Sequence, residues 1–293
     1  MVMPLFCLSG KKAIVIGGST GIGKASAIAL ATAGADVAIA ARNEKMGEYA
    51  IESIASLSPN SFFVHCDVED EDSVRAAIKT VADRFGRLDI AVNSFGLAIA
   101  DNDLTQTKPN WDRLIAVNLT GAWLCLQAQV QQMASQNPMG GKIINISSVA
   151  ARSISIKAGA GYCTTKAAVV QLTRSFAAQF GRYNINVNSI CPGVVMTQMT
   201  AHMPPEYLAR LREIIPVGHI ARPEDIYGSV LFLASDASNY VTGVDLVLDG
   251  GRTLSTWVEP LDPRGCPPRV SPEEEIFEMN KELAMIQKYR EQE

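Results

Sequence analysis

A run of glycines between a strand and a helix constrains the fold of this 293-residue chain more than any other feature. Residues 13–16 form a short apolar run typical of a buried strand, and residues 22–33 continue with helical character. Around their junction lie Gly17, Gly18, Ser19, Thr20, Gly21, Ile22 and Gly23. Glycines in such a turn let the backbone approach a pyrophosphate, whose charge is favoured by the N–H groups of a helix N-terminus. The segment predicts a dinucleotide-binding turn, and the alternative is a purely structural turn.

The same succession of strand, turn and helix continues along most of the chain. We predict further strands at residues 36–41, 61–65, 90–93, 142–146, 185–190 and 244–248. Helices are predicted at residues 45–56, 70–85, 110–133, 162–180 and 223–233. Continuously apolar strands that alternate with helices indicate a parallel sheet covered on both faces. The predicted fold class is α/β, a doubly wound (Rossmann-type) parallel sheet with helices on both faces, which binds ligands at the carboxyl ends of its strands.

The sequence changes character near residue 251, which divides it into two predicted parts. Residues 1–251 form the predicted dinucleotide-binding catalytic domain. Residues 252–272 contain five prolines, which indicate an extended linker. From Ser271 onward the chain has the signals of a helix start, followed by a one-sided apolar stripe. This C-terminal amphipathic helix either packs on a neighbouring subunit and covers its active site, or is a loosely docked appendage.

Composition argues against several classes of function. The net charge of −4 is small and dispersed, which gives no electrostatic basis for binding nucleic acid or an anionic membrane. No apolar stretch approaches the roughly 20 residues that span a bilayer, and no basic residues precede the short apolar start as they would in a signal peptide. Six scattered cysteines and three histidines without metal-ligand spacing indicate a reduced interior and no metal site. We expect a cytoplasmic protein.

The end of the second predicted strand bears on the choice of cofactor. In an NAD-specific site an acidic residue there binds the ribose 2′-hydroxyl, about 20 residues beyond the last glycine. This chain has Arg42 and Asn43 at that place and no carboxylate. The guanidinium of Arg42 suits a 2′-phosphate. NADP(H) is therefore favoured over NAD(H), and the alternative is that Arg42 is a solvated surface residue.

Tyr162 and Lys166 form a candidate proton-transfer pair. They lie four residues apart in a predicted helix, so both side chains share one face. An ammonium near a phenol favours the phenolate, and we expect Lys166 to lower the pKa of Tyr162 from about 10. Such a tyrosine can act as general acid or base when a carbonyl and an alcohol are interconverted.

Further motifs in a fixed order surround this pair. They are the glycine turn, Cys66-Asp67-Val68, Asn93-Ser94-Phe95-Gly96, Asn118, Asn145-Ile146-Ser147-Ser148, Pro192-Gly193 and Asp249-Gly250-Gly251. With them, the chain from about Leu8 to Gly251 closely resembles the short-chain dehydrogenase/reductase superfamily in its single-domain subgroup. The resemblance implies an oxidoreductase that interconverts a ketone or aldehyde and an alcohol, with NADP(H) as the cofactor that Arg42 favours. It also implies a homo-oligomer, either a tetramer or a dimer.

The resemblance implies a role for each matching residue. Tyr162 would exchange a proton with the substrate oxygen, and Ser148 would hydrogen-bond that oxygen. Lys166 would hold the nicotinamide ribose and tune Tyr162, while Asn118 would bind a water in a proton relay. The other implied cofactor contacts are Asp67, Val68, Asn93, Gly96, Pro192, Gly193, Val195 and Thr197.

Three departures from the family pattern lie close to these residues. Ile16 replaces the threonine that usually precedes the glycines, and Phe95 is bulky for its position. The stretch between Ser148 and Tyr162 is one residue longer than usual. Ser147 therefore stays an alternative to Ser148 as the catalytic serine.

The substrate side is predicted to be apolar and adaptable. Residues 196–215 occupy the region where the family varies, and they are rich in methionine and leucine. The expected substrate contacts are Ile154, Ile156, Met196, Met199 and Met203. They favour a medium-sized, partly apolar ketone or alcohol as the small-molecule substrate.

Two other functions stay open for a chain with these motifs. One is a biosynthetic enzyme of the same fold whose reaction is diverted, for example to cyclisation or dehydration. The other is a non-catalytic protein that senses the cofactor. The presence of Asn118, Ser148, Tyr162 and Lys166 together argues against the sensor, which has no need of all four.

Overall fold

Seven strands form one sheet in the part of the chain that the computed structural model describes, residues 4–99, 104–153, 158–201, 203–254 and 284. The strands are β1 (Lys12–Ile16), β2 (Asp36–Ala41), β3 (Phe62–His65), β4 (Ile90–Asn93), β5 (Gly141–Ile146), β6 (Ile185–Pro192) and β7 (Asp245–Leu248). Every pairing is parallel, and the spatial order is β3-β2-β1-β4-β5-β6-β7. The order reverses between β1 and β4, which opens a crevice at the carboxyl ends of these strands. The predicted doubly wound parallel sheet is confirmed.

Eight α-helices are found in the described part of the chain. They are α1 (Gly21–Thr32), α2 (Glu44–Glu52), α3 (Glu71–Phe85), α4 (Lys108–Leu114), α5 (Gly121–Ser135), α6 (Gly159–Phe180), α7 (Pro205–Ile214) and α8 (Tyr227–Ala234). The predicted helix at 223–233 is a 3₁₀ turn, Pro223–Ile226, followed by α8. The helix that carries Tyr162 begins three residues earlier than predicted, so Tyr162 lies within its first turn rather than at its start.

The two faces of the sheet explain why the strands are mostly apolar. Along β1, Ile14 and Ile16 belong to the core under α3, α5 and α6, whereas Ala13 and Val15 belong to the core under α1 and α8. All four side chains are at most 1% exposed. Since successive residues of a strand point to opposite faces, burial on both faces favours apolar side chains at successive positions.

The long helix predicted at residues 110–133 is divided. Between α4 and α5 the chain runs through a π-helical segment, Ile115–Thr120, whose hydrogen bonds span one residue more than those of an α-helix. Asn118 lies in this segment and is 2% exposed. Such wider turns are frequent at functional sites, and here the side chain of Asn118 contacts the loop after β4.

Several predictions fall on residues beyond the described part. The predicted proline-rich linker and C-terminal helix in 252–293 lie outside the described residues after residue 254, apart from residue 284. Ile154 and Ile156 also lie outside them. Among the helices that the structure does describe, none combines the length and the hydropathy needed to cross a bilayer. Within the same residues no three metal-ligating side chains come together.

Candidate active site

Tyr162 meets Ser148 at the carboxyl edge of the sheet. Ser148 lies two residues past the end of β5 and caps a 3₁₀ turn, Val149–Ala151, by accepting a hydrogen bond from the N–H of Ala150 at 3.1 Å. Burial raises the pKa of Tyr162, and a hydrogen bond with the Ser148 side chain acts in the opposite direction. Two hydroxyl groups from different elements are therefore adjacent where a substrate oxygen could bind.

The expected lowering of the Tyr162 pKa is wrong for this structure. Its pKa lies above the ordinary value of 10.0, and burial is the largest cause. The Nζ atom of Lys166 lies 5.8 Å from the centroid of the Tyr162 ring and donates instead to the carbonyl oxygen of Ile146 at 3.0 Å. Sequence spacing placed the two residues on one face, but it could not show that the ammonium would be directed to a backbone carbonyl or how far the phenol would be desolvated.

Lys166 lies at the centre of the site and is 5% exposed. Burial lowers its pKa to about 8. A Cβ added to Gly96 would lie 3.1 Å from the Nζ of Lys166 and 3.6 Å from the Oδ1 of Asn118. The structure thus brings Gly96, Lys166 and Asn118 together.

Asn118 is held by three hydrogen bonds. Its Oδ1 accepts from the N–H of Leu97 at 2.7 Å, and its Nδ2 donates to the Leu97 carbonyl at 2.9 Å. The Nδ2 also lies 3.2 Å from the Oγ1 of Thr165, which itself donates to the carbonyl of Tyr162. The amide therefore ties the loop after β4 to the first turns of α6, the helix that carries Tyr162 and Lys166.

The two consecutive serines have different surroundings. Ser147 is 4% exposed, and its hydroxyl donates to the backbone carbonyl of Lys166 at 2.8 Å. Its place is thus between β5 and α6, where it joins the two elements. Ser148 is the serine that reaches the hydroxyl of Tyr162.

Asn93 has its side chain directed into the protein rather than toward the crevice. Its Nδ2 donates to Gln129 at 3.0 Å and to Asn145 at 2.9 Å, and its Oδ1 accepts from Gln129 at 2.7 Å. Asn145 extends this chain of bonds to Thr173 on α6. The expected cofactor contact at Asn93 stays a prediction, and it is limited to backbone atoms because the side-chain donors are already used.

The glycine turn is packed so closely that side chains are excluded. A Cβ on Gly23 would lie 2.0 Å from the carbonyl oxygen of Gly17, and one on Gly17, where φ is +77°, would lie 2.8 Å from the backbone of Phe95. Thr20 is the N-cap of α1, but its side chain makes no capping hydrogen bond to the described helix. The N–H groups of the first turn are therefore left for another acceptor.

The segment after β6 lies over this turn. The Cγ2 of Thr197 would be 3.1 Å from a Cβ on Gly21, and Gly193 packs against the backbone of Asp249. Val195 forms an isolated bridge with Ala221 and is 3% exposed. The predicted residues Pro192, Gly193 and Thr197 are thus brought to the same edge as the glycine turn, whereas the side chain of Val195 is buried.

Comparison with known proteins places this arrangement in a family. A family model described as enoyl-(acyl carrier protein) reductase matches residues 17–253. The chain is 40% identical over 255 residues to the short chain dehydrogenase/reductase astE of Aspergillus oryzae, with 85% of this chain and 97% of that protein covered. The chain belongs to the short-chain dehydrogenase/reductase superfamily. The sequence-based identification is confirmed.

Two further proteins, an enzyme and a solved structure, are similar to this chain over most of its length. Over 251 residues the chain is 38% identical to the D-threitol dehydrogenase of Mycolicibacterium smegmatis, with 85% of this chain and 95% of that protein covered. The crystal structure of a short-chain type dehydrogenase/reductase from Mycobacterium marinum superposes with a TM-score of 0.83 at 38% identity, covering 87% of this chain and 100% of the other. Membership makes this chain an oxidoreductase of alcohol and carbonyl groups that uses a nicotinamide cofactor.

The residues at the crevice fit the dinucleotide that the family uses. The glycine turn leaves a cradle that a single Cβ would fill, and uncapped N–H groups at the start of α1 suit a pyrophosphate. Gly96, which has no side chain, leaves space beside the Nζ of Lys166. At the predicted adenine contacts, Val68 is 7% exposed and packs on Gly121, while the Oδ1 of Asp67 accepts from the N–H of Glu69 at 3.0 Å.

Arg42 lies at the exposed end of the same crevice, one residue past β2. Its side chain is 58% exposed, and its Nη1 lies 3.6 Å from the Oε1 of Glu69. The predicted position at the end of the second strand is thus correct. The sequence did not predict that Glu69 would lie beside Arg42, although Glu69 directly follows the Asp67-Val68 motif.

The predicted substrate residues differ in how open they are. Met196 is 4% exposed and packs in a small cluster with Leu208, Leu211, Ile215 and Ile220. Met203 is half-buried against this cluster. Met199 is 46% exposed and is the predicted methionine most accessible to a ligand. Helix α7 supplies the cluster with Leu208 and Leu211, so this region is a separate apolar unit beside the crevice.

Proposed function

We propose that this protein is an NADP(H)-dependent oxidoreductase that interconverts a ketone or aldehyde and an alcohol, with Tyr162 as general acid and base. The observation that carries the proposal is the placement of the Ser148 and Tyr162 side chains together, near the buried ammonium of Lys166. All three residues lie at the carboxyl edge of the sheet, next to the glycine turn.

Ser148 and Tyr162 would act together on the substrate oxygen. Both hydroxyls can donate to it, and Tyr162 transfers its proton as negative charge develops on that oxygen during reduction. Because burial raises the pKa of Tyr162, the phenol is the form present at neutral pH, which suits reduction. When bound, the nicotinamide supplies the hydride for reduction or accepts it in the reverse direction. Oxidation needs the phenolate, so its rate should increase with pH.

Lys166 and Asn118 would support Tyr162. With a pKa of about 8, Lys166 can gain and lose a proton near neutral pH, which suits a group that returns a proton to the tyrosine. Asn118 fixes the spacing between the loop after β4 and α6 through Leu97 and Thr165. A polar group with its donors already placed needs little reorganisation during the reaction.

Two features support the choice of cofactor and substrate. Arg42, with no carboxylate on the same strand end, favours the 2′-phosphate of NADP(H). The apolar cluster around Met196, with Met199 exposed beside it, favours a partly apolar small molecule. The expected homo-oligomer, a tetramer or a dimer, stays a prediction.

The proposal is tested with a panel of partly apolar ketones and secondary alcohols. Each is incubated with NADPH or NADH, or with the oxidised forms, and turnover is followed by nicotinamide absorbance. We expect turnover with NADP(H), and Tyr162→Phe should lower kcat by about 10³-fold because it removes the general acid. Tyr183→Phe is the matched control, since that tyrosine is 45% exposed and lies beyond the end of α6.

Three outcomes would contradict the proposal. If Tyr162→Phe retained wild-type turnover, Tyr162 would not be the general acid. A clear preference for NADH would contradict the role of Arg42. Product formed without any change in nicotinamide absorbance would favour a diverted reaction on the same fold.

A further inference from the structure

An acidic side chain lies beside the arginine that is proposed to bind the 2′-phosphate. The Oε1 of Glu69 is 3.6 Å from the Nη1 of Arg42, and the two side chains are 32% and 58% exposed. This separation is longer than the 2.7–2.9 Å of a charge-assisted hydrogen bond. The pair is therefore loose, and a ligand can displace it.

The sheet explains why Glu69 lies at this place. In the register of β2 and β3, Ala41 is paired with His65, and the N–H of Cys66 donates to the carbonyl of Ala41 at 3.0 Å. Arg42 and the chain after β3 thus leave the sheet side by side. The turn that follows is fixed, because the Oδ1 of Asp67 accepts from the N–H of Glu69 at 3.0 Å. The backbone of Glu69 is held in position while its side chain reaches toward Arg42.

We propose that Glu69 is a specificity-determining residue for the dinucleotide. Its carboxylate competes with the 2′-phosphate for the Arg42 guanidinium and so weakens the preference for NADP(H) over NAD(H). The inference rests on the proposed function, which places the 2′-position of the ribose beside Arg42. A 2′-phosphate brings close to two negative charges to a guanidinium that already faces a carboxylate, whereas a 2′-hydroxyl brings none.

The expected effect is moderate because both side chains are exposed. Exposed ion pairs contribute little and are screened by salt. We expect Glu69→Gln to lower the Kd of NADP⁺ by about fivefold at low ionic strength and to leave the Kd of NAD⁺ within about twofold. The difference should shrink as salt is added, since a Debye length falls to about 3 Å at 1 M.

The experiment measures the binding of NADP⁺ and NAD⁺ to the full-length protein by isothermal titration calorimetry, without substrate. Glu71→Gln is the matched control, because it removes a carboxylate two residues away that pairs with Arg75 instead. Arg42→Gln and the double variant Arg42→Gln with Glu69→Gln complete a cycle. In the Arg42→Gln background the substitution at Glu69 should no longer change the Kd of NADP⁺.

The outcomes separate this inference from the proposed function. Wild-type protein that binds neither dinucleotide would contradict the proposed function itself. If wild-type protein binds NADP⁺ and Glu69→Gln leaves its Kd unchanged, only the role of Glu69 is wrong. An equal gain in the Arg42→Gln background, or an equal gain from Glu71→Gln, would also overturn it, because the effect would then not depend on competition for Arg42.

Discussion

Two parts of the crevice differ in how firmly the structure holds them. The closed part comprises the glycine turn with Asn118, Ser148, Tyr162 and Lys166. Here Asn118 and Lys166 are hydrogen-bonded to backbone groups at about 3 Å, and the glycine turn has no room for a single added methyl group. In the open part, which comprises Arg42, Glu69 and Met199, side chains are about a third to more than half exposed, and the one ion pair is 3.6 Å long.

The difference separates two tasks of one enzyme. Proton transfer requires groups fixed relative to each other, because a small misplacement costs much of the rate. Selecting a cofactor or substrate requires only a difference between two binding free energies, which exposed charges and a flexible methionine can adjust. We therefore expect large effects from substitutions in the closed part and effects of a few-fold in the open part.

The largest effect on dinucleotide binding should come from Gly23→Ala, which sharpens this comparison. The new Cβ would lie 2.0 Å from the carbonyl oxygen of Gly17, so the glycine turn must shift. We expect the free energy of unfolding to fall by about 1–3 kcal/mol, as in other overpacked sites, and the affinity for the dinucleotide to fall at least about tenfold. Chemical denaturation and calorimetric titration measure the two quantities.

Gly228→Ala is the matched control for that substitution. Gly228 lies in α8, and its added Cβ would meet no described atom within 4 Å. Alanine favours a helix interior over glycine, so this variant should be more stable by up to about 1 kcal/mol. Equal losses of affinity in both variants would contradict the close-packing argument for the turn.

The next effect compares the two serines. Ser148→Ala should lower kcat by about 10²-fold, because it removes a donor to the substrate oxygen. Ser147→Ala should lower the free energy of unfolding by about 1 kcal/mol, because it deletes the buried hydrogen bond to the Lys166 carbonyl. Its kcat should stay within a few-fold of wild type. The opposite pattern would make Ser147 the catalytic serine and break the assignment made above.

The last prediction concerns how stability depends on pH. Burial lowers the pKa of Lys166 from 10.5 to about 8, so between these values the unfolded chain binds more protons than the folded one. The free energy of unfolding contributed by this group therefore rises with pH across that interval. In Lys166→Met the contribution is absent, and the stability difference between wild type and variant should change with pH accordingly. Denaturation at several pH values from 7 to 10.5 measures it.

Lys142 provides the control for the pH experiment. It is also buried, its Nζ is bound by Asn186 and Asn239, and burial lowers its pKa to about 8. It lies near the start of β5, at the edge of the sheet away from the crevice. Lys142→Met should show the same pH dependence of stability but keep the turnover. Loss of turnover in both lysine variants would show that stability, and not the position of Lys166, limits activity.

Several features of this protein follow from the sequence alone, because they depend on local rules. The mostly apolar strands and the helices between them predicted the parallel sheet, since strands buried on both faces have few polar positions. The spacing of the glycines predicted a tight turn between β1 and α1, because few other residues fit there. The order of motifs also sufficed to identify the family and to place Tyr162 and Lys166 on one face of α6.

Other features were decided only by the tertiary structure, because they depend on which distant residues meet. The direction of the Tyr162 pKa was predicted wrongly, since burial and the path of the Lys166 ammonium are set by β5 and the loop after β4. The side chain of Asn93 turned inward because Gln129 and Asn145 offered partners there. Glu69 reached Arg42 because the register of β2 and β3 brings their ends together. Local spacing thus determined which residues the crevice contains, and long-range packing determined which of them are fixed and which can be displaced.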